Sequence, residues 1–217
     1  MGLSNTSSDR QTFVNIVGGK FSIAVDKSIE GAVSRKNKKD VEVWELHYDS
    51  LNNVKIIGIE KKVGDFGASY EVKLKDFDRD FILNLPYSGR VTNGLMFRLP
   101  NINLSEEVAL KIFKDKTTDK AILFVTQGGK TVPAAYTKDS PNNLPPMVQR
   151  KVKGVDTWDD TAQSEFIEAM IVKDIQPKLA RSTPPQGLTP EQEENSQDLP
   201  FIWILIPMLL PMLQLVS

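Results

Sequence analysis

The fold of this 217-residue chain is decided by residues 41–85, which read VEVWELHYDSLNNVKIIGIEKKVGDFGASYEVKLKDFDRDFILNL. Apolar and charged residues alternate in this stretch with the two-residue period of β-strands that bury one face. The alternation is clearest around Tyr70, whose face is wholly apolar and is predicted to lie in the core. Turn residues separate four predicted antiparallel strands: 41–48, 54–63, 68–75 and 79–85.

Two glycine pairs, Gly18-Gly19 and Gly128-Gly129, each separate two short apolar runs. Both glycines of such a pair can adopt positive φ, so each pair predicts a tight hairpin. Together with the four-strand meander, they make residues 11–137 a region of about nine short strands and almost no helix. The predicted fold class is therefore all-β, an antiparallel barrel that is closed or nearly closed and carries an extra hairpin.

The segments around this barrel differ from it in composition. We expect one C-terminal amphipathic helix, with Thr157 as its cap, Phe166 and Met170 in its apolar stripe, and Pro177 at its end. The stripe packs on the barrel or forms a dimer contact. The predicted domains are as follows: a flexible arm at 1–10, the barrel at 11–137, a connector and the helix at 138–179, a disordered acidic linker with its tip at 180–201, and an apolar segment at 202–217.

Composition narrows the classes of function. The chain has no cysteine and a single histidine, His47, so thiolate metal sites are excluded and a histidine-based triad would depend on one strand residue. The two Gly-Gly-Lys sequences lack the earlier glycine of a phosphate loop, because Val14 and Phe124 occupy that position. No spacing of carboxylates or metal ligands suggests catalysis, so we expect neither an enzyme nor a bound metal or cofactor.

Cations and aromatic residues are interleaved in the barrel region, as binding of a single-stranded nucleic acid requires. The net charge of −1 combines a mildly basic body with an acidic tail. The basic run 35–39 is a phosphate-binding loop or a solvated tip. Among the aromatics, those in turns are favoured for base stacking over Trp44 and Tyr48. The predicted nucleic-acid-binding residues are Lys36, Lys38, Lys39, Lys55, Lys61, Phe66, Lys73, Lys75, Phe77, Arg79, Tyr87 and Arg90.

The acidic linker delivers the tetrapeptide Asp198-Leu199-Pro200-Phe201. With a predicted barrel before the linker, the chain resembles single-stranded DNA-binding proteins of the bacterial or bacteriophage kind. The resemblance implies an OB-fold (oligonucleotide-binding) barrel that binds single-stranded DNA without sequence preference during replication, recombination or repair. It also implies that Asp198, Leu199, Pro200 and Phe201 recruit replication and repair proteins. The implied location is the cytoplasm of a bacterium or of a phage-infected host.

Phe201 is followed by sixteen further residues, almost all apolar. Three interpretations of 202–217 stay open: a membrane anchor, a peptide that docks into a partner or the barrel, and read-through beyond an earlier stop. The alternative function is accordingly a tail-anchored or phage structural β-domain protein that binds other proteins. A homo-oligomer is compatible with either function.

Overall fold

The computed structural model describes residues 11–182, except residues 38, 66, 78 and 153 and the side chains of residues 152 and 182. The predicted arm 1–10, nearly all of the acidic linker, the tip 198–201 and the segment 202–217 lie outside the described residues.

The described chain is mostly β-structure, as the alternation predicts. Its strands are β1 (Thr12–Val17), β2 (Lys20–Val25), β3 (Val33–Lys36), β4 (Glu42–Tyr48), β5 (Ser50–Gly64), β6 (Gly67–Asp76), β7 (Arg79–Pro86), β8 (Val108–Lys114), β9 (Ala121–Gln127), β10 (Lys130–Thr131), β11 (Val148–Val152) and β12 (Val155–Asp159). Its helical elements are α1 (Arg90–Met96), a 3₁₀ turn (Leu99–Asn101), α2 (Thr161–Met170), a π-helical segment (Ile171–Ile175) and α3 (Gln176–Ser182).

Ten strands form one open sheet in the order β10-β9-β8-β5-β6-β7-β1-β2-β4-β3. The predicted antiparallel barrel, closed or nearly closed, is therefore not a closed barrel, and its strand pairing is not wholly antiparallel. The end strands β10 and β3 are not paired with each other, and β1 pairs with β7 in parallel. The sheet is nevertheless curled, because β2 approaches β5 to within 8 Å although it lies four places away, a separation of about 19 Å in a flat sheet.

The predicted four-strand meander contains only three consecutive partners, β5, β6 and β7. β4 pairs instead with β2 and β3, while β5 pairs with β8. The chain thus crosses between distant parts of the sheet at Asp49, whose carbonyl accepts a hydrogen bond from the Ile112 N–H. Alternation identifies which face of a strand is buried, but it does not identify the neighbouring strand.

Both predicted Gly-Gly hairpins are confirmed. Gly18 and Gly19 have φ of 59° and 79°, and Gly128 and Gly129 have φ of 57° and 76°. Two successive positive φ angles are the requirement of the two-residue turn that suits the right-handed twist of a hairpin. The strand after the second turn is short, since β10 ends at Thr131.

The core lies on one side of the curled sheet, and the C-terminal helix packs on it. Tyr70 is buried there as predicted, with Ile167, Ile171 and Ile175 from the helix. Met170 of the predicted stripe is buried too, whereas Phe166 is half-buried against the Tyr136 ring.

Two predictions about this helix are wrong. Thr157 lies in β12, and the Asp159 carboxylate accepts hydrogen bonds from the Thr161 N–H at 3.0 Å and hydroxyl at 2.6 Å where the helix begins. Pro177 does not end the helix, which continues to Ser182. A proline lacks the N–H of a regular helical turn, and the π-helical segment before Pro177 accommodates this change of hydrogen bonding.

Candidate nucleic-acid interface

The sheet presents a second face, opposite the core, on β5, β6, β7 and β1. In β6 the even-numbered residues around Leu74 are buried in the core, so Lys73 and Lys75 point to this other face. The register places Lys55 directly opposite Lys75, and it places Ile82 between Lys73 and Phe13. We call this set the outer face; it comprises Phe13, Lys55, Lys73, Lys75 and Ile82.

Lys55 and Lys75 form a cross-strand pair of like charges, an arrangement that destabilises a sheet. Neither lysine forms an ion pair within the part of the chain that the structure describes. Asp80, the register partner of Lys75 on its other side, is exposed and does not neutralise the pair through an ion pair. Within the described residues, these two lysine side chains on neighbouring strands are therefore available to bind phosphate oxygens.

Two exposed aromatic rings lie on the outer face or beside it. Phe77, in the turn between β6 and β7, is 96 % exposed, and it lies next to the strand end that carries Lys75 and Arg79. Phe13 on β1 is 46 % exposed and shares the outer face. Sequence reasoning missed Phe13, although its alternation with the apolar residues Val14 and Ile16 placed it opposite the core.

Other predicted binding residues have structural partners. The Lys61 ammonium lies 2.7 Å from Glu168 Oε2 and 4.6 Å from the centre of the Tyr87 ring. The Tyr87 hydroxyl donates to the same carboxylate oxygen at 2.7 Å, and its ring stacks on Tyr70 at 5.4 Å. Burial, followed by the nearby Glu168 carboxylate, raises the pKa of Tyr87 to about 12. Lys61 and Tyr87 thus join the helix to the sheet. Lys73 is also engaged, at 2.5 Å from Glu60.

The basic run 35–39 begins at the end of β3, which contains Arg35 and Lys36, and Lys39 lies in the turn before β4. Arg35 donates to both carboxylate oxygens of Glu45, from Nε at 2.8 Å and from Nη2 at 2.5 Å. Lys36 pairs with Asp40 at 3.0 Å, and both side chains are largely exposed. Lys39 is exposed, and its backbone N–H donates to Asn37. The run therefore presents fewer free charges than its composition predicts.

The remaining predicted residues do not gather at one place. Arg90 begins α1, and its guanidinium donates to the Thr118 hydroxyl at 3.1 Å, near the turn between β8 and β9. Lys38, Phe66 and the tip Asp198, Leu199, Pro200 and Phe201 lie outside the described residues. The outer face thus unites Lys55, Lys73 and Lys75 with the adjoining Phe77 and Arg79.

Glu45 is a buried carboxylate that the alternation did not reveal. Its side chain is 5 % exposed, and the hydrogen bonds from Arg35, with a longer contact to His47 at 3.4 Å, hold the pKa of Glu45 below its usual range. A carboxyl group whose pKa is lower in the folded state stabilises the fold at pH values above its unfolded pKa of about 4.3. This stability is lost as the pH falls through the pKa of the folded state.

We therefore expect Glu45→Gln to reduce the free energy of unfolding at pH 7 by about 1–2 kcal/mol, less than for a fully buried pair because Arg35 keeps contact with water. The reduction should shrink as the pH falls below about 4. Urea denaturation from pH 3 to 8 measures both effects. A difference that stays constant over this range would contradict the role given to the Glu45 charge.

Comparison with protein-family models, with curated proteins and with solved structures gives no match to this chain. Among the described residues, no helix is both long and apolar enough to cross a bilayer. Within the same ranges, no group of three His, Asp or Glu side chains is arranged to hold a metal ion.

Proposed function

We propose that this protein binds single-stranded DNA without sequence preference, through the outer face and the turn that carries Phe77. The observation that carries the proposal is the Lys55–Lys75 cross-strand pair. The two like charges repel each other, and neither forms an ion pair among the described residues. They therefore destabilise the fold, and a bound polyanion removes this destabilisation.

The lysines and the aromatic rings contact different parts of the bound strand. Lys55 and Lys75 bind successive phosphates and release the counterions condensed on them, which makes the affinity depend strongly on salt. Phe77 and Phe13 stack on bases, which favours single strands because the bases of a duplex are already stacked on each other. Neither contact reads the identity of a base.

The carboxylates on the same surface limit the affinity. Glu60 lies close to both Lys62, at 3.2 Å, and Lys73, at 2.5 Å, so the charges in this part of the sheet are compensated. Lys55 and Lys75, which form no ion pair with the described residues, lie nearer the β6–β7 turn. We therefore place the bound strand along this end of the outer face, beside Phe77.

The proposal also includes a role for the acidic tip and a location for the protein. By its resemblance to single-stranded DNA-binding proteins, the tip at 198–201 recruits replication, recombination or repair proteins to the bound strand. The protein then acts in the cytoplasm of a bacterium or of a phage-infected host, with an OB-like arrangement of its curled sheet.

Phe77→Ala tests the stacking contact. A ring that is 96 % exposed contributes little to the core, so the variant should keep the stability of the wild type. Its affinity for oligo(dT) should fall by about 5- to 150-fold, which is the loss expected for one stacked base. Fluorescence anisotropy with a labelled oligo(dT) measures this change.

Phe113→Ala is the matched control, because Phe113 is an exposed ring on β8 that already stacks on Phe124 at 5.0 Å. We expect this variant to bind oligo(dT) like the wild type. Equal affinities for wild type and Phe77→Ala would rule out the turn as a binding element.

A further inference from the structure

Two asparagines lie side by side on inner strands of the ten-stranded sheet. Asn15 is on β1 and Asn84 is on the neighbouring β7, and the side-chain amide of Asn84 donates to Oδ1 of Asn15 at 3.2 Å. Asparagine is depleted in strands, because its side chain competes for backbone hydrogen bonds. Strand stability therefore does not explain why two asparagines are paired at this place.

The pair adjoins the outer face and lies on the same side of the sheet. Val14 is buried in the core, so Phe13 and Asn15 on either side of it both point to the opposite side. Asn84 shares that side, because its side chain is hydrogen-bonded to Asn15. Two residues along a strand span about 7 Å. A base that stacks on Phe13 can therefore reach the amide pair with its edge.

The amide pair keeps hydrogen-bonding groups free. A single hydrogen bond uses one group of each amide, so in either orientation of the two amides one C=O group and one NH₂ group are left over. Among the described residues, neither side chain makes another hydrogen bond. Asn15 is exposed and Asn84 is half-buried, so a ligand on this side of the sheet has access to the free groups.

The edge of an unpaired base complements these groups. Every base carries both a hydrogen-bond donor and an acceptor on its Watson–Crick edge, which proteins contact in single strands. An amide, with its own donor and acceptor, can therefore bind any of the bases. In a duplex the same edges are occupied by the partner bases. Such a contact favours single strands and requires no particular sequence.

The charges around the pair suit a neutral base better than a phosphate. Glu71 on β6 lies opposite Asn84, and its carboxylate is 4.0 Å from the Lys62 ammonium. A carboxylate repels a phosphate but not an uncharged base. Lys75 lies near the other end of β6, beside the β6–β7 turn. The phosphates can thus follow the turn end of the outer face while a base points along the sheet to the amide pair.

We propose that the Asn15–Asn84 amide pair binds the edge of the base that stacks on Phe13, whichever base it is. This inference rests on the proposed function and deepens it, because it identifies a contact for the polar edge of the bound base. Phe13 covers the face of the base, and the amide pair replaces the water that the edge loses on binding. A buried base edge without such partners would weaken the complex.

The experiment measures the binding of two labelled oligonucleotides to the full-length protein by fluorescence anisotropy. One is oligo(dT); in the other, every thymine is replaced by difluorotoluene, which has the shape of thymine without its hydrogen-bonding groups. Asn15→Ala should lower the affinity for oligo(dT) by about 2- to 12-fold, the contribution of one hydrogen bond. Its affinity for the difluorotoluene oligomer should equal that of the wild type. Asn84→Ala should show the same selectivity, and oligo(dC) should behave like oligo(dT).

Gln149→Ala is the matched control, because Gln149 is an exposed amide on β11, in the separate two-stranded sheet. This variant should bind both oligonucleotides like the wild type. An equal loss of affinity for both oligonucleotides in Asn15→Ala would mean that Asn15 acts only through the sheet, and would overturn the base-edge contact. Wild-type affinity for oligo(dT) in both asparagine variants would overturn it too. Either result leaves the proposed function intact, whereas absence of oligo(dT) binding by the wild type would contradict both proposals.

Discussion

Replacing Lys55 and Lys75 together by alanine is expected to weaken oligo(dT) binding by about 10- to 30-fold at 0.1 M salt. Each lysine that neutralises a phosphate of a single strand contributes about 0.7 to the slope of log affinity against log salt, so the slope should decrease by about 1.4. The fold should be unchanged or slightly more stable, because the substitution removes a cross-strand repulsion. Salt titrations monitored by anisotropy measure the slope.

Lys116→Ala with Lys120→Ala is the matched control for charge. Both lysines are exposed in the turn between β8 and β9, neither belongs to the outer face, and their removal changes the net charge equally. We expect a salt slope within experimental error of the wild type. The same loss in both double variants would mean that net charge, and not the Lys55–Lys75 pair, determines binding.

Gly94→Ala is expected to lower the free energy of unfolding by about 3 kcal/mol or more. Helix propensity alone predicts the opposite sign, since alanine is favoured over glycine in a helix by about 1 kcal/mol. The steric clash outweighs helix propensity, because a Cβ atom at Gly94 would lie 2.5 Å from the backbone oxygen of Leu123. α1 would have to move away from β9, which also carries the buried Leu123 and Val125 side chains.

The control for this variant is Gly64→Ala, where the added Cβ meets no atom within 4 Å. Its urea midpoint should match that of the wild type, since a surface substitution of this kind changes stability by about 0.5 kcal/mol or less. A wild-type midpoint for Gly94→Ala would show that α1 does not pack on β9 as closely as described.

Much of the fold could be predicted from local sequence. The alternation around Tyr70 identified β6 and its buried face, and the Gly-Gly pairs identified two hairpins, because both signals depend only on neighbouring residues. Strand partners could not be predicted in this way, since β4 and β5 are adjacent in sequence and distant in the sheet. The same limit applies to the expectation of a closed or nearly closed barrel, because closure depends on whether the two end strands pair.

The candidate site, like the fold, could be predicted from local sequence only in part. Lys73, Lys75 and Phe77 could be placed on a solvent face or in a turn from the alternation and the turn residues. The adjacency of Lys55 and Lys75 requires the register across β5 and β6, which includes an irregularity between Ile56 and Gly58. The hydrogen bond from Tyr87 to Glu168 could not be predicted, because it depends on where a helix 81 residues away in sequence packs.

The central claim is that this protein prefers single-stranded DNA and holds it through cations and stacked bases. Its most direct test is the affinity of the full-length protein for oligo(dT) and for a duplex of equal length, each measured between 50 and 300 mM salt, a range over which phosphate contacts weaken strongly. We predict tighter binding to oligo(dT) at every salt concentration and a steep decrease in affinity as salt increases. Equal affinity for the two forms, or no binding of oligo(dT) at 50 mM salt, where electrostatic contacts are strongest, would contradict the account.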